Sequence, residues 1–275
     1  MNSRSLQLSI LLMGVAGVAV GAPAAKRMDI VVHRGANHLA PENTMAAAKK
    51  AIELGADYVE VDVRTSKDGV FYVMHDPNVD RTTDGQAKLN ELTSDQIDKL
   101  DAGSWFDPKF KAERVPRLRE LLRWIRGKGK VYFDVKDADI VKLVKLVRDM
   151  KMQDDVFFWF SDGRQARKLQ RHDEHMPIKI NVKDVEELKR AKRWFGARIV
   201  ETNVKVATPA FIKTANRMGI RVMIMYTGSD PAVFRRIIRS GAQMVNLDRL
   251  TVFLDVERKE LGDTGRTARR SGTAR

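Results

Sequence analysis

The sequence predicts a (β/α)8 TIM barrel, and three observations carry that reading. Short apolar runs alternate with amphipathic stretches from Met28 onward, the pattern of parallel strands joined by crossover helices. Eight of the runs, with one extra hairpin partner, supply the strands a barrel needs. Ionisable residues fall at the C-terminal ends of several runs that are otherwise apolar, where barrels of this type gather reactive groups. A doubly wound open sheet is the alternative, but no glycine-rich phosphate fingerprint follows the first strand.

The strand candidates are, in order, Asp29–His33, Tyr58–Val63, Phe71–His75, Lys130–Val135, Val156–Phe160, Ile178–Asn181, Ile199–Thr202, Val222–Met225 and Met244–Leu247. Helical periodicity runs over Thr44–Leu54, Leu118–Arg126, Ile140–Met150, Gly163–His172, Val185–Trp194, Pro209–Met218 and Pro231–Ser240. Gly55 stops the first of these helices. The last two carry Pro in the first turn and Gly219 or Gly241 just past the end, the expected asymmetry. A turn at Lys67-Asp68-Gly69 joins the second and third strands as a hairpin. From Asp76 to Pro116 the rhythm breaks, and this stretch is read as a small insertion on one rim after the second strand. Its Trp105 and Phe106 are expected to pack the loop onto the rim.

Both ends are read apart from the barrel, which is placed over 26–261. Residues 1–25 resemble a secretory signal. Arg4 precedes an apolar run from Ile10 to Val20, and Ala22-Pro23-Ala24 precedes Ala25 as a small-residue cleavage site. Cleavage is expected, with an uncleaved N-terminal anchor as the alternative, and either places the folded domain in the periplasm or outside the cell. Residues 262–275 are rich in Gly, Thr and Arg without apolar periodicity and are read as a disordered basic tail.

The 275 residues include 43% hydrophobic ones, enough for one large core and against global disorder. The absence of cysteine excludes disulfides and thiolate metal sites. Fifty Lys+Arg against 36 Asp+Glu give a net charge of +14, which suits anionic partners such as phosphorylated small molecules or an anionic membrane or envelope surface. No nucleic-acid motif and no basic helix with interleaved aromatics is present, so no nucleic-acid partner is expected.

At the strand ends stand His33, then Glu60 with Asp62, then His75, then Asp134 with Lys136. Residues two apart on a strand share a face, so Glu60 and Asp62 present two carboxylates together. Such carboxylates repel one another unless they are paired or bind a hard cation, and spacing alone leaves both readings open. Two histidines beside carboxylates can serve as general acid and base near neutral pH, whereas either alone reads as an ordinary rim residue. Arg34 has the geometry to clamp a phosphate or to form a surface ion pair.

In sequence these residues form a recognisable series: His33-Arg34-Gly35, Pro41-Glu42-Asn43-Thr44, the acidic strand Gly55 to Val63, Lys67-Asp68-Gly69, and His75-Asp76 with Arg81-Thr82-Thr83. The series resembles the glycerophosphodiester phosphodiesterase family. Phe133-Asp134-Val135-Lys136 and Gly241 to Arg249 resemble later family segments. The resemblance implies one divalent cation, Ca²⁺ or Mg²⁺, held by Glu60, Asp62 and Asp134. It implies His33 and His75 as the acid–base pair, with Arg34 and Lys136 on the phosphate. It also implies hydrolysis of deacylated phospholipids to glycerol 3-phosphate and an alcohol. A related phosphodiester lyase or phospholipase D acting on lipids, and a non-catalytic binder of phosphorylated ligands, are the alternatives. The chain departs from the family in having Asp134 where Glu is usual and Tyr226-Thr227 where Trp-Thr is frequent. The second change is expected to alter the wall facing the glycerol or head group.

Overall fold

The structure, a computed structural model, describes residues 27–262. The expected secretory segment, and the tail beyond Gly262, lie outside the described residues. The described residues form nine strands: β1 (Asp29–Val32), β2 (Tyr58–Thr65), β3 (Phe71–Val73), β4 (Lys130–Val135), β5 (Val156–Phe160), β6 (Lys179–Asn181), β7 (Ile199–Asn203), β8 (Arg221–Tyr226) and β9 (Met244–Leu247). Parallel pairing runs in the order β5-β4-β2-β1-β9-β8-β7-β6. A parallel bridge from Phe158 to Ile178 brings the ends of that path together, so the sheet is a nearly closed barrel. β3 pairs antiparallel with β2 through the Lys67-Asp68-Gly69 turn, as expected.

The helices are α1 (Met45–Glu53), α2 (Ser94–Ile97), α3 (Leu118–Ile125), α4 (Ile140–Asp149), α5 (Gly163–His172), α6 (Val185–Phe195), α7 (Pro209–Arg217), α8 (Pro231–Arg239) and α9 (Leu250–Leu261). All but α2 follow a barrel strand. Six of the starts are fixed by side chains accepting from the first-turn N–H groups: Thr44 for α1, Asp139 for α4, Asp162 for α5, Asp184 for α6, Thr208 for α7 and Asp230 for α8. Each such cap stabilises its helix by about 1 kcal/mol.

Alternation along the strands sorts side chains into two environments. Outward residues such as Val61, Phe133, Phe158 and Ile224 pack against the helix ring in one large cluster. Inward residues Val31, Tyr58, Tyr132, Phe157, Ile199, Met223 and Met244 form an apolar plug inside the barrel, with Trp159 packed on it. Tyr132 stacks on Phe157 with ring centroids 4.5 Å apart. Phe133 has no exposed surface and packs on Phe158 at 5.0 Å. Phe133→Ala is therefore expected to cost about 3–5 kcal/mol in denaturant unfolding. A loss below about 1 kcal/mol would contradict this packing.

Several boundaries differ from the sequence reading. β1 ends at Val32 and β3 at Val73, so His33 and His75 stand just past their strands. The chain turns at Arg34, whose φ is 56°. The insertion has more order than its weak periodicity implied. It contains α2 and short 3-10 turns at Leu89–Glu91 and Pro108–Phe110. Val79, Leu89, Ile97, Ala102 and Val115 pack on Tyr72 and Met74 as a satellite core. Trp105 and Phe106 meet edge to face at 5.8 Å, and Trp105 stays 42% exposed. α9 was not anticipated. Its N-terminal residue Arg249 offers no side-chain cap, so the sequence lacks the usual start signal.

Candidate active site

The site is built where β1, β2 and β4 end. Asp62 and Asp134 are directly paired across the β2–β4 register, and Glu60 lies one inward step below Asp62. One carboxylate oxygen from each of Glu60, Asp62 and Asp134 lies within 4.8 Å of the others. Glu60 and Asp62 are each only 1% exposed. Burial and then the Asp62 and Asp134 charges push the Glu60 carboxyl up to about 8. Burial and Asp62 also raise Asp134, against the pull of Lys136. The cluster therefore carries more negative charge than its surroundings comfortably hold, and a cation would relieve it.

The Lys136 ammonium sits in that field, 3.0 Å from Asp62 Oδ1 and 2.8 Å from Asp134 Oδ2. Burial disfavours the ammonium, but the Asp62 and Asp134 charges outweigh it and the Lys136 pKa is raised. Asp134 Oδ1 is buried without a hydrogen-bond partner. An unsatisfied carboxylate oxygen and three converging hard oxygen donors, whose burial and mutual charge raise the Glu60 pKa, fit a divalent cation such as Ca²⁺ or Mg²⁺.

Two left-handed residues shape the loop around the cluster. Arg34, at φ 56°, turns its backbone N–H onto Glu60 Oε2 at 2.6 Å. Asn43, at φ 57°, donates from its side-chain amide to Asp62 Oδ2 at 2.7 Å and from its backbone N–H to Arg34 O at 3.0 Å. Such backbones cost energy and persist where the surroundings hold them. Thr44, the next residue, caps α1. Gly35 permits the approach of α1, since a Cβ there would lie 2.8 Å from Ala47.

Each histidine is held by a carboxylate. His33 Nδ1 lies 2.9 Å from Asp248 Oδ1, which also accepts from Asn37. Burial opposes the imidazolium of His33, but the Asp248 hydrogen bond and the Glu60 charge outweigh it and its pKa is raised. His75 Nδ1 lies 2.6 Å from Asp76 Oδ1. Arg81 donates to Asp76 and keeps it ionised, at about 2. Arg81 also reaches Glu42, and Glu42 accepts from Arg34, so a chain of ion pairs joins the His75 side to the Arg34 side. In each dyad the carboxylate accepts from Nδ1–H, which leaves Nε2 free for proton transfer.

The structure thus brings Glu60, Asp62, Asp134, Lys136 and Arg34 together and places His33 and His75 on flanking loops. Sequence reasoning missed Asp248, Asp76 and Arg81 as orienting groups. Asp248 follows β9 by one residue, so the strand-end signal was there to read.

Lys179 was also missed. It is 1% exposed inside the barrel, donating to Asn181 Oδ1 at 2.7 Å and paired with Glu201 Oε1 at 3.2 Å. Its ammonium lies over the Tyr132 and Trp159 rings at 5.1 and 5.0 Å. Glu201 also accepts from Asn246. Lys179→Met is expected to cost about 3–5 kcal/mol because it leaves Glu201 charged and buried, and adding Glu201→Gln should recover much of that loss. Additive losses in a double-mutant cycle would contradict the pairing.

The expectation for Tyr226 is corrected. Its ring packs edge to face on Phe234 of α8 at 5.1 Å, and its hydroxyl accepts from Asp230 N–H. Tyr226 therefore faces the helix ring. Met225, two residues on from the interior Met223, takes the inward position.

The sequence pattern of the glycerophosphoryl diester phosphodiesterase family matches residues 33–252. The glycerophosphodiester phosphodiesterase of Caldanaerobacter subterraneus subsp. tengcongensis is 36% identical over 156 residues, covering 54% of this chain and 64% of that protein. Glycerophosphodiester phosphodiesterase 1 of Mus musculus is 43% identical over 113 residues, covering 40% of this chain and 34% of that protein. The chain thus spans less than two thirds of the length of these curated relatives. The crystal structure of a glycerophosphodiester phosphodiesterase from Agrobacterium tumefaciens str. C58 superposes with a TM-score of 0.79 at 39% identity, over 83% of this chain and all of that one. An Oleispira antarctica phosphodiesterase, solved with its product sn-glycerol-3-phosphate, shares the fold at 22% identity and a TM-score of 0.76, over 83% of this chain and 96% of that one.

Proposed function

Because this chain belongs to the glycerophosphoryl diester phosphodiesterase family, we propose that it hydrolyses glycerophosphodiesters to glycerol 3-phosphate and an alcohol in a metal-dependent reaction. The observation that carries this reading is the pair of carboxylate-held histidines beside a buried cluster of three carboxylates. A non-catalytic binder would need neither dyad. With residues 1–25 acting as a secretory signal or anchor, the reaction takes place in the periplasm or outside the cell.

Glu60, Asp62 and Asp134 would hold one Ca²⁺ or Mg²⁺. When bound, that ion supplies positive charge to the phosphoryl oxygens. Arg34 Nε makes no hydrogen bond and stands 3.6 Å from Asp62 Oδ2, from which it can turn to donate to a phosphoryl oxygen. Lys136, exchanging its two aspartates for the substrate, adds a second cation. One histidine Nε2 removes the proton from the attacking oxygen, water or a glycerol hydroxyl. The other protonates the departing alcohol oxygen. Asp248 and Asp76 hold the rings in register and stabilise whichever imidazolium forms.

Phosphorus NMR of a reaction with glycerophosphocholine tests this reading. Glycerol 3-phosphate as the end product is expected. A cyclic phosphate that accumulates without further hydrolysis would assign a lyase instead, and no turnover would favour a lipid-directed enzyme or a binding protein.

Ion binding should also depend on pH. The ion must displace the proton that Glu60 keeps up to about 8. The Tm rise produced by Ca²⁺ or Mg²⁺ is expected to be larger near about pH 9 than near about pH 6. An equal rise at both values would contradict the assignment of Glu60 as a ligand.

A further inference from the structure

We propose that the barrel face opposite the active site docks on anionic phospholipid bilayers through a basic arc centred on Trp194. Helices run back from the mouth, so their C-termini collect at the N-terminal end of the strands. On three successive helices that end carries Arg171 (α5), Lys192 and Arg193 (α6) and Arg217 (α7), and Arg198 precedes β7 beside them. All five are exposed, and among the described residues none is in a salt bridge. The neighbouring Asp173 is buried and already paired with Arg148, which leaves Glu174 as the exposed acid within the arc.

A cation in the last turn of a helix complements the helix dipole, and that accounts for one charge per helix. It does not account for Trp194. This residue ends α6 at the same rim and is 55% exposed, with Arg190 over its ring at 6.0 Å. An exposed indole among arginines suits the headgroup layer of a bilayer, where its apolar body and polar N–H are both satisfied. Each nearby cation adds attraction to an anionic leaflet.

The chain's two ends reinforce the charge complementarity. At the start of β1, Asp29 N–H donates to Gln243 O, so the chain enters the barrel at this face. Arg239 at the end of α8 pairs with Glu260 near the end of α9, so α9 also ends there. Beyond the described residues, the first end continues into the uncharged span Ser5 to Ala25. The second continues into a tail with four arginines (Arg266, Arg269, Arg270, Arg275) against Asp263. Docked this way, the barrel turns its mouth to the aqueous side, where water-soluble phosphodiesters are.

Vesicle flotation of the full chain tests the proposal. Vesicles of phosphatidylcholine with phosphatidylglycerol are compared with phosphatidylcholine alone, which measures any contribution of the apolar N-terminal span. Stronger binding to the anionic vesicles is expected. Reversing the arc (R171E, K192E, R193E, R198E, R217E) should weaken that increment on the order of a hundredfold. Reversing Lys183 and Lys205 on the mouth side should leave it unchanged. Trp194 should shift its emission to the blue on anionic vesicles alone, read as the difference from Trp194→Phe, which covers the case in which the five-fold variant fails to fold. Anionic binding that is undiminished in the reversed variant, or a Trp194 signal that does not move, would overturn the proposal. So would binding of a single-stranded RNA without binding of anionic vesicles.

Discussion

Glu60→Gln is expected to abolish turnover while making the metal-free protein more stable at alkaline pH. The two effects have one cause. Glu60 is fully buried beside Asp62 and Asp134, and its carboxyl is pushed up to about 8 in the metal-free fold. A raised folded-state pKa means that folding favours the protonated form. The stability this contributes is complete below the unfolded-state value and is lost as pH rises toward about 8. The amide resembles the protonated acid and removes that loss, which is on the order of 1.4 kcal/mol for every tenfold difference in proton affinity between the folded and unfolded chains. The same amide cannot supply an anionic oxygen to a cation, so kcat should fall by roughly 10³-fold or more and the ion-induced rise in Tm should vanish. Thermal melts near pH 9 with chelator, beside a turnover assay with ion, check both halves. An active variant, or one less stable than the parent under chelation, would contradict the assignment.

His75→Ala and His33→Ala are each expected to lower kcat by roughly 10²–10⁴-fold with little change in Tm, the range for loss of a positioned acid or base. The two sites should differ in what a partner substitution does. Asp248→Asn removes the carboxylate that helps raise His33, so the pKa seen in the pH–rate profile should fall. Asp76→Asn disconnects His75 from the Arg81–Glu42–Arg34 chain and should therefore raise KM as well as lower kcat. Loss of either histidine without effect on turnover would remove it from the chemistry.

How much of this was legible in the sequence depends on the range of the interactions. Strand–helix alternation and the hairpin at Lys67-Asp68-Gly69 are local patterns, and the barrel followed from them. Glu60, Asp62, Asp134 and Lys136 were legible because two-residue spacing at a strand end fixes a shared face. The orienting groups were not. His33 and Asp248 are 215 residues apart in sequence and meet because β1 and β9 are neighbours in the closed ring. Glu42 and Arg81 meet across 39 residues, through an insertion whose satellite core had no clear period. Lys179 was passed over because lysine is rarely buried, and its burial depends on Glu201 one strand away. The family resemblance, which has Trp-Thr where this chain has Tyr226-Thr227, places Tyr226 on the wall of the mouth. Strand parity turns it outward onto Phe234, and nothing in the dipeptide Tyr226-Thr227 reveals that parity.

The central claim is that the three buried carboxylates hold a cation on which phosphodiester hydrolysis depends. Its most direct test is to strip the protein with chelator and follow glycerol 3-phosphate release from glycerophosphocholine as Ca²⁺ or Mg²⁺ is added back. The expected result is no release after stripping and recovery that saturates with one ion per chain, absent in Glu60→Gln. Full activity in the stripped protein, or recovery in Glu60→Gln equal to that of the parent, would contradict it.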